Sequence, residues 1–259
     1  MRGNDHDWAM TGLFLLALAI SGLIMKLIAM PLSRREKDLT RSPTFWILLS
    51  PSSHDRLRPL HDLNGLTLRT LFLLLCLIGI YWVHLESGFS FAEHHLLQSY
   101  SAAPALILVS EGLVALATWL WIPSGRLLPT VHHRPWTAHS IGDFWGRRWN
   151  LWFSDWFRYA IFSRFKRTPI KALFITFTAS GLIHEFVINL PLYLITGKIL
   201  FGTMMIYFLP QPIGILLERR LRHHPVAGRA FTWLIVFVPA PLVINEGLLE
   251  VLQLTRTAI

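Results

Sequence analysis

The chain has 259 residues, of which 53% are hydrophobic and only 15% are charged. Soluble domains usually carry about 25% charged residues, so this composition excludes an ordinary soluble enzyme and favours a protein that lies in lipid. The net charge of +9 would suggest a nucleic-acid partner in a soluble protein. Here the basic residues lie in loops between apolar stretches, as expected for a membrane protein, and we expect no nucleic-acid partner.

Six apolar stretches are long enough to cross a bilayer as helices, which takes about 20 residues each. They are 8–30, 66–85, 104–122, 170–195, 199–217 and 230–252. No signal-peptide cleavage site ends the first stretch, so we expect a membrane helix there. Only Thr196-Gly197-Lys198 separates the fourth and fifth stretches, which predicts a helical hairpin. Pro210 and Pro212 predict a kink within the fifth.

Basic and non-basic loops alternate along the chain. The loops that follow the first, third and fifth stretches hold most of the Lys and Arg residues, whereas every other connection or tail holds one at most. This alternation predicts a multi-pass protein with three basic loops in the cytosol and both termini on the non-cytosolic side. The expected fold is an all-α polytopic membrane helical bundle that forms one domain over residues 1–259.

The loop from 123 to 169 contains a helical pattern. Ser140 is a suitable N-cap residue, and Asp143 stands in the capping-box position three residues later. Beyond it, aromatic residues recur every three or four positions, which would place them on one face of a single helix. They are Trp145, Trp149, Trp152, Trp156 and Tyr159. Because Trp and Tyr favour the membrane interface, we expect a cytosolic interfacial amphipathic helix.

Three arginines, Arg147, Arg148 and Arg158, fall beside or opposite this aromatic stripe, and we select Arg147 and Arg148 as candidates for binding. The arginine side chain suits phosphate because its planar fork can form two parallel hydrogen bonds. Lipid headgroups and coenzyme A both carry phosphates. The segment is therefore either a membrane anchor or a binding site for an anionic ligand such as coenzyme A.

His184 lies deep inside the fourth stretch, roughly 20 Å along the helix from its start. Ionisable residues at such depth are costly and usually face a protein-lined cavity. Ser180 and Gly181, one turn earlier, would leave room beside the imidazole. Such an imidazole can accept a proton from an attacking hydroxyl at neutral pH. The alternatives are a hydrogen bond between helices, or a transporter or scaffold in which His184 and carboxylates form a polar path.

Other polar residues offer weaker candidates. Glu111 could belong to a proton path, but we expect it to bond a neighbour near the outer end of its helix. Asn245 and Glu246 are expected to form helix–helix hydrogen bonds. The twelve histidines lack the spacing of membrane di-iron enzymes, so we expect no metal site. Ser154 and Asp155 lie near the stripe, but no Gly-x-Ser-x-Gly elbow accompanies them.

Two segments together resemble the wax synthase family of the membrane-bound O-acyltransferase superfamily. They are FWGRRWN at 144–150 and SGLIHE at 180–185. Members of the family carry Asn or His at the end of the aromatic motif and an essential His in a following span, which correspond to Asn150 and His184. The double arginine points to the wax synthase branch. The positions that we assign to substrate binding are Phe144, Trp145, Arg147, Arg148, Trp149 and Ser180.

The resemblance implies transfer of a fatty acyl group from acyl-CoA to the hydroxyl of a long-chain alcohol, which forms a wax ester. In this reading His184 is the general base, and Asn150 polarises the thioester or orients the alcohol. Acyl-CoA is a co-substrate, no other cofactor is implied, and the partners are a lipophilic alcohol and the bilayer. An O-acetyltransferase that acts on a small-molecule hydroxyl is the alternative within this class. Both a single chain and a homo-oligomer are compatible with the resemblance.

Overall fold

The computed structural model describes residues 3–33, 58–59, 63–86, 95–221 and 223–252, and these are largely helical. The helices are α1 (Gly3–Ser33), α2 (Leu63–Glu86), α3 (His95–Trp121), α4 (Ile141–Asp143), α5 (Leu151–Phe157), α6 (Pro169–Thr196), α7 (Thr203–Phe208), α8 (Pro210–Leu217), α9 (Pro225–Val236) and α10 (Glu246–Val251). The π-helical segments Phe144–Arg148 and Arg158–Phe162 extend α4 and α5. Short 3₁₀ turns span Ile122–Ser124, Pro135–Thr137, Glu218–Leu221 and Ala240–Leu242. The two-residue strands β1 (Arg58–Pro59) and β2 (Arg126–Leu127) pair antiparallel, with Arg58 opposite Leu127.

Four stretches of the described residues are long and apolar enough to cross a membrane. They are Ala9–Ala29, Gln98–Trp121, Pro169–Thr196 and Pro225–Leu242. Helix α2 coincides with the second predicted span, and its part Leu63–Cys76 is apolar but shorter. Large apolar side chains such as Leu15 and Leu120 remain exposed on these helices, as a lipid-facing surface requires. The chain is an integral membrane protein with an all-α fold. The predicted basic loop after the first span lies mostly outside the described residues.

The fifth predicted span is not one uninterrupted helix. Helix α7 ends at Phe208 and α8 begins at Pro210. Pro210 and Pro212 lack the N–H groups that would continue the hydrogen-bond ladder, so the ladder stops there. Leu209 nevertheless keeps helical dihedral angles (φ −64°, ψ −34°). The proline pair therefore interrupts the hydrogen bonding without reversing the direction of the chain.

The prediction of one continuous helix over 230–252 is wrong. Helix α9 begins earlier, at Pro225, and ends at Val236. Pro239 and Pro241 follow, and proline breaks a helical ladder. A new helix starts after Asn245, whose side-chain oxygen accepts a hydrogen bond from the Leu248 N–H at 3.0 Å. The Asn245 amide also donates to the Thr203 hydroxyl at 2.7 Å, which confirms its expected helix–helix bond.

Helix α6 lies at the centre of the fold and packs against α1, α7, α8 and α10. The predicted hairpin with α7 is confirmed. Gly197 ends α6 in the left-handed region (φ 72°), and Gly202 (φ 107°) precedes α7. The buried carboxylate of Glu185 accepts hydrogen bonds from the Gly202 N–H at 2.7 Å and the Met204 N–H at 3.0 Å. Glu185 therefore caps α7 and ties the two helices together.

The prediction of a single amphipathic helix over the aromatic stripe is wrong. The expected cap at Ser140 is present, since its hydroxyl accepts from the Asp143 N–H at 3.0 Å. The helix then ends before Asn150, which adopts a left-handed conformation (φ 38°, ψ 66°) that asparagine tolerates better than most residues. The Asn150 side-chain oxygen accepts from the Phe153 N–H at 3.4 Å and caps α5. The stripe is thus carried by two short helices.

This break sends the aromatic side chains in different directions within the protein. Trp152 donates its indole N–H to the Pro129 carbonyl at 3.0 Å. Trp156 is buried and donates to the Met25 carbonyl of α1 at 2.7 Å. The aromatic side chains therefore contact different parts of the bundle and do not form one interfacial face.

Candidate active site

A cavity of about 270 Å³ lies between α6 and the segment that α4, α5 and their π-helical extensions form. Two runs of polar residues line it, each with a spacing of four residues. The first is Asn150, Ser154 and Arg158 on α5 and its extension, and the second is Thr176, Ser180 and His184 on α6. A spacing of four keeps side chains on one helix face. Each helix therefore presents a polar ladder to the cavity, and aromatic side chains form much of the remaining wall.

His184 has one ring nitrogen fixed by its own helix. Its Nδ1 lies 2.7 Å from the backbone carbonyl oxygen of Ser180. A carbonyl can only accept a hydrogen bond, so Nδ1 must carry the hydrogen. In the neutral ring Nε2 then carries the lone pair, which is the atom a general base uses. The ring of Phe208 packs against the imidazole with 4.7 Å between ring centres.

Asn150 lines the same cavity as His184, although 34 residues separate them along the chain. The Asn150 side-chain oxygen is used to cap α5. Its amide nitrogen has no hydrogen-bond partner among the residues that the structure describes. The amide N–H can therefore donate to a ligand carbonyl, while the cap holds the side chain in place.

Ser180 and Gly181 differ in what they face. Ser180 lines the cavity. Gly181 instead faces α7, where an added Cβ would meet the Met205 sulfur at 2.6 Å. The glycine thus allows close packing between α6 and α7. The expectation that Gly181 leaves room beside His184 is wrong, because Met205 and Phe208 of α7 fill that side.

The aromatic part of the motif forms one wall of the cavity. Trp145 and Trp149 line it, and Phe144 is buried behind them. The rings of Phe144 and Trp149 are stacked with 5.5 Å between centres. The Trp145 indole N–H donates to the side-chain oxygen of buried Gln211 at 3.0 Å, and the Gln211 amide donates to the Ile235 carbonyl at 3.0 Å. This chain of bonds fixes the Trp145 ring.

The two predicted arginines do not line the cavity. Arg148 is engaged in an ion pair with Asp143, with 2.5 Å between Nε and the carboxylate, and it also donates to the Thr137 hydroxyl. Arg147 is exposed and has no hydrogen-bond partner within the described ranges. Arg158, which was placed beside the stripe but not chosen as a site residue, does line the cavity, and 54% of its side chain is exposed. Its spacing of eight from Asn150 is the signal that could have identified it.

Glu218, just after α8, accepts hydrogen bonds from the backbone at the start of α4, which precedes the motif. Its carboxylate accepts from the N–H groups of Ile141 at 2.5 Å and Gly142 at 3.2 Å. A carboxylate is favourable at a helix N-terminus, where free N–H groups converge. Burial raises the pKa of the Glu218 carboxyl above its ordinary value, although the two backbone bonds act in the opposite direction. Glu218 and Ile141 are far apart in the chain, so no sequence pattern could have predicted this contact.

The carboxylates considered for a polar path do not line the cavity that contains His184. Glu111 forms an ion pair with Arg69 of α2 and accepts a hydrogen bond from the His132 N–H at 2.6 Å. It does bond neighbours, but it lies in the second half of α3 and not near the predicted outer end. None of Glu111, Asn245 and Glu246 is among the described residues that line the cavity. In the described part of the chain, no group of three His, Cys, Asp or Glu residues could hold a metal ion.

Residues 128–207 match the model of the membrane bound O-acyl transferase family. This matched segment is less than a third of the chain, so the match shows a resemblance of that segment to the family. A probable long-chain-alcohol O-fatty-acyltransferase 7 from Arabidopsis thaliana is 31% identical over 127 residues, which cover 42% of this chain and 36% of that protein. A long-chain-alcohol O-fatty-acyltransferase from Simmondsia chinensis is 36% identical over 90 residues, which cover 31% of this chain and 24% of that protein. No solved structure matches.

The chain therefore spans about a third of one of these relatives and a quarter of the other. The matched segment contains every predicted site residue, from Phe144 to His184. It also contains both polar ladders. The roles of the individual residues in substrate binding and catalysis stay predictions.

Proposed function

We propose that the protein transfers a fatty acyl group from acyl-CoA to the hydroxyl of a long-chain alcohol and so forms a wax ester. The observation that carries this proposal is the bond between His184 Nδ1 and the Ser180 carbonyl, which leaves the Nε2 lone pair available beside the cavity. The names of the two relatives support the choice of acceptor, because both are described as long-chain-alcohol O-fatty-acyltransferases.

The chemistry uses the two facing ladders. Nε2 of His184 takes the proton of the alcohol as its oxygen attacks the thioester carbon. Negative charge develops on the thioester oxygen, and the Asn150 amide N–H stabilises it. The carbon–sulfur bond then breaks, the ester is released, and the proton passes from His184 to the coenzyme A thiolate. The products are the ester and the free coenzyme A thiol, so the reaction is balanced.

The donor would enter at the Arg158 end of the cavity. Its half-exposed guanidinium donates to the Gly146 carbonyl at 2.9 Å and keeps further N–H groups for an anion. The phosphates of coenzyme A are such anions, and exposed Arg147 directly follows Gly146 in the chain. In this account the basic loops face the cytosol, where the donor is dissolved, and both termini face the opposite side.

An O-acetyltransferase that acts on a small-molecule hydroxyl is the second candidate. The cavity volume favours it, because about 270 Å³ lies just below the roughly 300–1,000 Å³ of drug-sized ligand sites. A short acyl group and a small acceptor would fit inside entirely. For a wax ester, the two long chains must extend out of the cavity between the helices and into the bilayer.

The experiment that tests both candidates uses purified protein in lipid nanodiscs with a panel of labelled donors and acceptors. The donors run from acetyl-CoA to stearoyl-CoA, and the acceptors are fatty alcohols and small hydroxyl compounds, with protein-free nanodiscs as the blank. We expect ester from long-chain acyl-CoA and a long-chain alcohol. Transfer of acetyl groups alone would favour the second candidate, and no ester from any pair would overturn both.

A further inference from the structure

The hydroxyl of Thr176 lacks the hydrogen bond that five other helical threonines form. Its Oγ1 is buried and has no hydrogen-bond partner among the described residues. Five other threonines donate to the carbonyl four residues earlier in their own helix: Thr67, Thr70, Thr118, Thr196 and Thr232. A buried polar group without a partner costs free energy. Since Thr176 lines the cavity, a ligand there can satisfy it.

The distance from Thr176 to His184 restricts which ligand group that is. Eight residues of α6 separate them, which corresponds to about 12 Å along the helix axis. The segment Arg158–Phe162 contacts α6, and only residues 163–168 connect it to the start of that helix. The Arg158 end of the cavity therefore lies near Thr176, and His184 lies deeper.

The acceptor alcohol cannot be the partner of this hydroxyl. In the proposed reaction its only polar group must lie at His184, and the rest of it is alkyl chain. The donor does have polar groups between its thioester and its phosphates, because the pantetheine arm contains two amides. The second amide is about nine bonds from the thioester carbon, or roughly 10 Å at the reach per bond of an extended chain.

We propose that the Thr176 hydroxyl hydrogen-bonds the second amide of the pantetheine arm of acyl-CoA. This inference rests on the proposed function. A hydroxyl can either donate to the amide carbonyl or accept from the amide N–H. Thr176 is then a binding residue for the pantetheine arm, which it holds in the cavity.

The test compares Thr176→Val, which removes the hydroxyl at nearly constant volume, with Thr176→Ser, which keeps it. Thr178→Val is the matched control on the same helix, because Thr178 is not among the cavity-lining residues. Each protein is assayed with three thioesters of one acyl group: acyl-CoA, acyl-pantetheine and the acyl thioester of N-acetylcysteamine. The last donor has only the amide nearer to sulfur.

We expect Thr176→Val to raise KM about 3- to 10-fold for acyl-CoA and acyl-pantetheine, the loss of one hydrogen bond, with kcat kept. KM for the N-acetylcysteamine thioester should not change, and Thr176→Ser and Thr178→Val should behave as the wild type. Thr176→Ala repeats the test if the valine variant does not fold. An unchanged KM for acyl-CoA, an equal rise for all three donors, or a serine variant as weak as valine would overturn the inference and leave the proposed function standing. A wild type that forms no ester overturns both.

Discussion

The imidazole of His184 and the backbone carbonyl of Ser180 are joined by a hydrogen bond of 2.7 Å within one helix. Because the acceptor is the backbone and not the hydroxyl, the tautomer of His184 is independent of the side chain at 180. We expect Ser180→Ala to change kcat less than about 3-fold, the effect of a weak neutral hydrogen bond at most. Ser180→Leu should abolish activity because its side chain fills the cavity beside His184. Steady-state rates of both variants test this, and an inactive alanine variant with wild-type expression would contradict it.

Asn150 combines a backbone role with a proposed chemical role, and substitutions can separate the two. Asn150→Asp keeps a residue that tolerates the left-handed conformation and keeps the capping oxygen, but loses the amide N–H. We expect its Tm to stay near that of the wild type while kcat falls about 100-fold, the usual cost of one oxyanion donor.

Asn150→Ala loses the cap as well, which costs about 0.5–2 kcal/mol, so both Tm and kcat should fall. Thermal unfolding in detergent and initial rates measure the two effects. An aspartate variant with wild-type kcat would show that the amide N–H does not act in the reaction.

Substitutions of Arg148 and Arg158 should differ in their effects on stability and on KM for acyl-CoA. Arg148→Ala breaks the ion pair with Asp143, so we expect a loss of stability of about 1.5–3 kcal/mol, typical of a hydrogen bond to a charged group. Arg158→Ala removes an ion pair with buried Asp155, so Tm should fall as well, but this variant should in addition raise KM for acyl-CoA.

The Arg158 effect should disappear with acyl-pantetheine, which lacks the nucleotide phosphates, and should weaken at high salt. KM measured with both donors at low and high salt is the decisive comparison. A KM increase of equal size with both donors would place the phosphate contact elsewhere.

Glu218 gives a prediction for the pH dependence of stability. Burial raises the pKa of its carboxyl and neighbouring Asp143 adds to the increase, while the backbone bonds and Arg219 oppose it. A raised pKa means that the folded state prefers the neutral acid. The stability it contributes is present below the ordinary pKa and is lost as pH rises through the folded-state pKa.

We therefore expect the wild type to lose stability relative to Glu218→Gln between about pH 4 and pH 7, since the glutamine is neutral throughout that range. Thermal unfolding of both proteins across this range is the measurement. A constant difference in Tm, or one that moves in favour of the wild type as pH rises, would contradict the assigned direction.

Features that depend on local signals could be predicted from the sequence. Hydrophobic length located the long helices, and Ser140 with Asp143 located the start of α4. The break at Asn150 could not be predicted from periodicity, because the aromatic spacing continues across it while the backbone changes direction. The bond from Glu218 to Ile141 depends on how distant segments pack, as does the contact between Gly181 and Met205. Arg158 was not chosen as a site residue because the stripe of aromatics, and not the spacing of eight residues from Asn150, guided the choice.

The central claim is that His184 acts as the general base. The most direct measurement compares His184→Ala with the wild type in both ester formation and acyl-CoA binding, with exposed His223→Ala as the control. We predict that ester formation falls about 100- to 10,000-fold, the usual contribution of a general base, while acyl-CoA binds as before and His223→Ala is unaffected. Ester formation at the wild-type rate by folded His184→Ala would contradict the account.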